Sequence, residues 1–298
     1  MPVLTNYYQH LYNCPVVELR GYTTRHELSG QILAYLDFGG ATGSAKDGLA
    51  EGMLALAAEK GRLQPGQTVV EASAGTFASA LTVAARSGGH PVILVVSATL
   101  PQSRQEALRR LGAKLVFSGA LYGRKGAEEL AAQTAEECGG YYVNYFANDD
   151  NPEYHRRVTG PAILQQTDAK IDAIVAGVGS GGTITGVGEH VKAWHNHIRM
   201  VAVEPYESQA IGGGFIGRHA IPGLGAGFVP ENYNPYIVDT LMAVPSGEAQ
   251  RAAREVLRAD GVPACVSAGA ALYAARQLLE KGKAKRALCI FSGRAVYE

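Results

Sequence analysis

The chain has 298 residues, 47% of them hydrophobic and 18% charged, and its 27 lysines and arginines balance 27 aspartates and glutamates. This composition excludes a disordered or fibrous protein, and zero net charge excludes a general field for nucleic acid or an anionic membrane. Any anion site is therefore local, and a length about twice that of an average domain predicts two domains.

At the N-terminus, Met1–Tyr8 lacks the basic-then-apolar order of a secretory leader. The uncharged stretches around 72–85 and 173–188 contain glycine and fall short of the ~20 apolar residues of a membrane helix, so a cytoplasmic protein without a membrane partner is expected. From residue 30 onward, short β-branched runs alternate with longer segments of helical period, the pattern of strands joined by crossover helices. The predicted strands are 32–37, 68–71, 92–96, 114–117, 141–144, 173–176, 200–204, 241–244 and 287–291. The predicted helices are 46–60, 77–86, 103–111, 126–138, 182–194, 246–260 and 269–281, several opened by Ser or Thr at the capping position. Strands apolar on both faces, such as Ala173-Ile174-Val175-Ala176, fit a sheet covered by helices on both sides. The fold class is α/β: two domains, each a mostly parallel twisted sheet flanked by helices. Asn148-Asp149-Asp150-Asn151-Pro152 is a turn cluster where the chain is expected to leave one domain for the next, and the Gly- and Pro-rich stretch 205–236 is expected to be a functional loop. Cys14, Cys138, Cys265 and Cys289 form no CxxC pair and read as reduced packing residues.

Three elements carry chemistry. In Gly43-Ser44-Ala45-Lys46-Asp47-Gly48 a lysine stands in the first turn of a helix, where the macrodipole already places positive charge. Alone it is a solvated lysine or an amine whose neutral, carbonyl-attacking form is favoured by that field and by partial burial. The second element, Val175-Ala176-Gly177-Val178-Gly179-Ser180-Gly181-Gly182-Thr183, runs from a strand through a glycine turn into a helix, and free amides at such a turn bind phosphate without a charged side chain. It also contains Gly177-x-Gly179-x-x-Gly182 with Glu204 about twenty residues on, so a nicotinamide dinucleotide site is a rival. The third, Glu71-Ala72-Ser73-Ala74-Gly75-Thr76-Phe77, again feeds a strand into a helix and reads as a carboxylate cradle. Two anion cradles and one lysine suggest a phosphorylated cofactor and a carboxylate substrate.

These segments, with Pro15–Leu19, Asn151-Pro152, Thr159-Gly160-Pro161, Val203-Glu204-Pro205, Gly223–Pro230, Val266–Ala271 and Phe291-Ser292-Gly293, resemble in order the fold-type II pyridoxal-phosphate enzymes, in particular the cysteine synthase and cystathionine β-synthase branch. The resemblance implies a tryptophan synthase β-like fold, with residues 1–36 and 144–298 as the larger cofactor-binding domain. Residues 37–143 would be the smaller, partly mobile domain with the lysine and the carboxylate loop. It implies that Lys46 bears pyridoxal 5'-phosphate and moves the Cα proton. The amides of Gly179, Ser180, Gly181, Gly182 and Thr183 would hold the phosphate, Thr76 would approach the ring hydroxyl, and Ser292 would lie beside the ring nitrogen. Ser73, Ala74, Gly75, Thr76 and Phe77, with Tyr145 and Gly225, would bind the substrate. The implied reaction is β-elimination or β-replacement on a serine- or cysteine-type amino acid by way of an aminoacrylate, in a homodimer without a metal.

The carboxylate loop departs from the family's Thr-Ser-Gly-Asn-Thr: here it is Ser73-Ala74-Gly75-Thr76-Phe77, and Tyr145 stands where the family has a glutamine. A hydroxyl has one donor where an amide has two, so altered specificity is expected. A degenerate member that serves as a binding or regulatory partner is the second reading. His195-Asn196-His197 reads as a surface pair, and the helix with Arg104, Arg109 and Arg110 as a solvated basic face.

Overall fold

In the computed structural model, which describes residues 7–295, the β-branched runs become strands and the segments of helical period become helices. The segment read for a leader begins outside the described residues. In chain order the elements are β1 (Val16–Glu18), α1 (Arg20–Arg25), β2 (Gln31–Leu36), α2 (Lys46–Glu59), β3 (Val69–Glu71), α3 (Thr76–Ser87), β4 (Val92–Ser97), α4 (Gln102–Arg110), β5 (Ala113–Ser118), α5 (Gly123–Cys138) and β6 (Tyr141–Tyr142). They continue with α6 (Asp150–Tyr154), α7 (Gly160–Thr167), β7 (Ala173–Gly177), α8 (Gly182–Trp194), β8 (Arg199–Pro205), β9 (Thr240–Val244), α9 (Ser246–Asp260), α10 (Val266–Glu280) and β10 (Arg286–Phe291).

The chain forms two compact units, Met1–Gly39 with Gly43–Ala45 and Asn151–Glu298, and Gly40–Thr42 with Lys46–Asp150. The first holds a six-stranded sheet in the order β1-β2-β10-β7-β8-β9, parallel except for β1, which pairs antiparallel with β2. Side chains alternate across it: Ile32, Ala34, Val175, Val201 and Cys289 enter one apolar cluster, and Leu33, Tyr35, Ile174, Met200 and Leu288 the other. Both faces are dry, which is why these strands read as continuous apolar runs. The abundant small residues let helices meet closely; a Cβ on Gly269 of α10 would run into the Ala249 carbonyl of α9. The second unit holds a four-stranded parallel sheet, β5-β4-β3-β6.

Several local expectations are corrected. The N-caps of α3, α4, α8, α9 and α10 are Gly75, Pro101, Gly181, Pro245 and Cys265, none with a side-chain capping bond, so serine and threonine do not open these helices. The turn cluster at 148–152 turns helical at Asp150 and continues through a π-helical turn, His155–Thr159, into α7. The strand expected over 141–144 ends at Tyr142, and Asn144 takes a left-handed φ of 53°. The expected domain limits lie three residues from the first crossing at 39/40 and seven from the last at 150/151. Asp150 stays with the second unit because Lys60 Nζ, at 2.6 Å, and Arg62 pair with its fully buried carboxylate. All four cysteines are free; Cys14 and Cys289 are buried, whereas Cys138, expected as packing, is exposed at the end of α5. No helix among the described residues is long and apolar enough to cross a membrane.

Candidate active site

The residues leading into Lys46 are pinned to the segment after β10. Gly43 has φ +70° and a Cβ there would lie 2.5 Å from Arg294 Nε, so glycine is required. Its carbonyl accepts from Arg294 N at 3.0 Å, Ser44 bridges to Gly293, and Ala45 N donates to the Ser292 carbonyl at 2.9 Å. Lys46 follows as the first residue of α2. Its charge at the positive helix end is offset by the next residue: Asp47, 1% exposed, accepts from Thr42 N and Thr42 Oγ1, each at 3.0 Å. The Lys46 ammonium lies over the Tyr145 ring, 5.9 Å from its centroid, and Tyr145 stacks on Phe77 with centroids 4.0 Å apart and planes inclined by 20°. The second unit thus brings Lys46, Phe77 and Tyr145 together.

The cradle Ser73–Phe77 connects β3 to α3. Ser73 and Ala74 are half-buried, Gly75 and Thr76 exposed and Phe77 buried. Arg104 of α4 holds this loop: its Nε donates to the Ala74 carbonyl at 2.8 Å, and its Nη2 to the Gly75 carbonyl at 2.7 Å and to Ser79 Oγ at 2.8 Å. The reading of this arginine as a solvated surface charge is therefore corrected. Beneath the loop, Glu71 is 2% exposed and accepts from Tyr145 N at 3.2 Å. Burial pushes its carboxyl up to about 8, against the pull of backbone donors at Tyr145 and Ala72. The signal available for it was an acid closing the apolar run Val69-Val70-Glu71.

In the first unit, the buried strand β7 delivers the glycine turn to α8. A Cβ on Gly179 would overlap the Gly223 carbonyl, and one on Gly182 the Asn151 side chain. Gly181 is the N-cap, with φ +84° and no side-chain capping bond, and a Cβ there would lie 2.8 Å from the Tyr233 backbone. A helix start stripped of side chains, with uncapped first-turn amides, fits a phosphate. Ser180 Oγ accepts from Asn151 Nδ2 at 3.1 Å. Thr183 Oγ1 meets the fully buried His155 Nε2 at 3.0 Å, while His155 Nδ1 meets Thr159 Oγ1 at 2.9 Å. Gly225 donates its amide to the Val178 carbonyl at 3.1 Å and so braces the turn. Ser292 Oγ lies 3.4 Å from Ser267 Oγ at the opening of α10.

A family profile described as pyridoxal-phosphate dependent enzyme matches residues 7–293. The chain belongs to that family. A cysteine synthase of Staphylococcus aureus (strain N315) is 37% identical over 278 residues, 93% of this chain and 89% of its own length. Among solved structures, O-ureido-L-serine synthase superposes with a TM-score of 0.91 at 29% identity, over 98% of this chain and 92% of that one. A cysteine synthase from Entamoeba histolytica gives 0.90 at 31% identity, over 99% and 88%.

The enzyme is thus cysteine synthase-like, with the tryptophan synthase β-like fold and pyridoxal phosphate as cofactor. The dinucleotide reading of its glycine turn falls with that finding. What sequence reasoning missed in the enzyme are residues that act through others: Arg104 behind the loop, Glu71 beneath it, and His155 behind Thr183. Their partners lie 25 to 74 positions away in sequence, beyond the reach of local spacing.

Proposed function

We propose that the enzyme carries out β-elimination or β-replacement on a serine- or cysteine-type amino acid whose β-substituent, or incoming nucleophile, differs from that of ordinary cysteine synthases. The observation that carries this reading is the buried Phe77–Tyr145 stack under the Lys46 ammonium. Two rings occupy positions where the family pattern has a hydroxyl and an amide. Pyridoxal phosphate, when bound, supplies the electron sink that loosens the bonds at Cα and Cβ of an amino acid.

In this reading Lys46 holds the cofactor and moves the Cα proton, and the amides of residues 179–183 hold the phosphate. The Ser292 hydroxyl would stand beside the ring nitrogen of the bound cofactor; being neutral, it would not force protonation there, which would favour departure of the β-substituent. Donors of the 73–77 loop hold the substrate carboxylate, and Thr76 offers one donor where the family's asparagine offers two. Gly225 acts through the turn it braces. The similarity to an O-ureido-L-serine synthase supports a changed β-substituent on this fold. A homodimer is part of the proposal, to be checked by light scattering.

The test is to titrate the purified holoenzyme with serine, O-acetylserine, O-phosphoserine and cysteine while following its visible absorption. One of them is expected to shift the spectrum strongly. Cysteine formation from O-acetylserine and sulfide should fall at least ~100-fold short of a typical cysteine synthase, the effect of two lost hydrogen bonds to a charged group. Efficient cysteine formation would overturn the proposal, and a Lys46→Ala protein that keeps the native absorption band would remove Lys46 from its role.

A further inference from the structure

Arg104 sits half-buried on α4 with its side-chain hydrogen bonds directed at the 73–79 segment: the Ala74 carbonyl, the Gly75 carbonyl and Ser79 Oγ. No acidic side chain among the described residues pairs with it. A guanidinium drawn out of water without a carboxylate partner carries a desolvation cost, and here that cost is met only by backbone oxygens and one hydroxyl. Gly75 is the N-cap of α3 and has no side-chain capping bond.

The consequence follows from peptide geometry. The described chain contains no cis peptide, and in a trans peptide the N–H points opposite to the C=O. Fixing the Ala74 carbonyl on Arg104 therefore turns the Gly75 N–H the other way, and fixing the Gly75 carbonyl does the same for the Thr76 N–H. Neither amide donates to an acceptor among the described residues. The rigid fork of one guanidinium so orients the Ala74–Gly75 peptide plane and, together with the Ser79 N–H that donates to the Gly75 carbonyl at 3.4 Å, the Gly75–Thr76 plane; it polarises both and leaves a full positive charge behind the loop, where loop side chains are short or lacking a hydroxyl.

We propose that Arg104 is a positioning residue for substrate binding: it aims the Gly75 and Thr76 amides at the carboxylate of the amino acid and compensates for the hydrogen-bonding side chains missing from Ser73–Phe77. This rests on the reading of that loop as the carboxylate cradle. It assigns carboxylate selectivity to the back of the loop rather than to a side chain that touches the substrate.

The experiment compares L-serine with ethanolamine, which keeps the amine and hydroxyl but lacks the carboxylate, by titrating the visible band of the holoenzyme. In Arg104→Gln, serine should bind about 10- to 100-fold more weakly, the loss of one or two charge-assisted hydrogen bonds, while ethanolamine affinity and cofactor content stay unchanged. An arginine that merely joins α4 to α3 would lower the melting temperature and weaken both ligands alike; equal effects on both overturn the proposal. Should Arg104→Gln not fold, Arg104→Lys serves instead. It keeps the charge but cannot span two carbonyls, so it should lose part of the serine preference, and a wild-type preference overturns the proposal. Thr76→Pro, which removes one of the two amides at the first position of α3, where proline is tolerated, separates the two levels. If it does not shift serine relative to ethanolamine, the carboxylate reading of the loop fails and Arg104 falls with it. If it does and Arg104→Gln does not, only the Arg104 assignment fails.

Discussion

Replacing Glu71 with glutamine should make the enzyme more stable at pH 8 than the parent and flatten its stability against pH. The carboxyl is 2% exposed and its strongest influence is burial, which raises it to about 8 from an ordinary 4.5. Between those values the folded protein keeps a proton that the unfolded chain has released. Stability linked to Glu71 is therefore fully present below pH 4.5, declines from 4.5 to 8 and is gone above, at up to ~1.4 kcal/mol per pH unit and in total less than about 5 kcal/mol. Glutamine retains a carbonyl to accept from Tyr145 N, the 3.2 Å bond that ties the Tyr145 backbone to the end of β3, and it does not titrate. Urea unfolding of both holoenzymes at pH 5, 6, 7 and 8 isolates the effect, since the other groups are common to the two. The difference between parent and Glu71→Gln should shift steadily in favour of the variant as pH rises. Parallel curves would refute the assignment of a buried, protonated carboxyl.

Gly181→Ala places a Cβ at φ +84° and 2.8 Å from the Tyr233 backbone; left-handed strain of about 1–2 kcal/mol should distort the turn and lower cofactor affinity, and unchanged retention of pyridoxal phosphate on dialysis would contradict the phosphate assignment. Phe77→Thr with Tyr145→Gln should raise cysteine formation from O-acetylserine and sulfide while lowering stability by several kcal/mol, since deleting a buried phenyl costs about 3–5 kcal/mol; a double variant with the parent's rate would dissociate the stack from specificity. In thiol labelling of the native enzyme, exposed Cys138 should react first. Cys14, pushed up to about 12 by burial and by Asp37, and Cys289, raised by burial, should react only on unfolding.

Where the sequence was readable, the signal was local. The glycine turn at 177–183 could be read because its glycines cluster between an apolar run and a stretch of helical period, although the atoms that crowd them, at Asn151, Gly223, Leu224 and Tyr233, are remote in sequence; β7 and α8 could be read because those patterns repeat within a few residues. Lys46 stood out because a cation at a helix N-terminus is unfavourable, and the sequence also contained the compensation, Asp47 beside it. By contrast β1, three residues long, has no periodicity and exists through its antiparallel register with β2, Val16 opposite Tyr35. The caps expected of serine and threonine were not used: the N-cap positions are glycine in α3 and α8, proline in α4 and α9, and cysteine in α10.

The sequence by itself determined the alternation of strands and helices, the two glycine-assisted loops and the lysine, since these depend on backbone freedom and on patterns of period 2 and 3.6. Only the tertiary structure decided that Arg104 is a clamp rather than a solvated charge, that Glu71 is buried under Tyr145, and that Phe77 and Tyr145 stack face to face. Those facts depend on residues 25 to 74 positions apart meeting at hydrogen-bond or ring-contact distance, and it is packing, not propensity, that sets where an arginine or a carboxyl comes to rest.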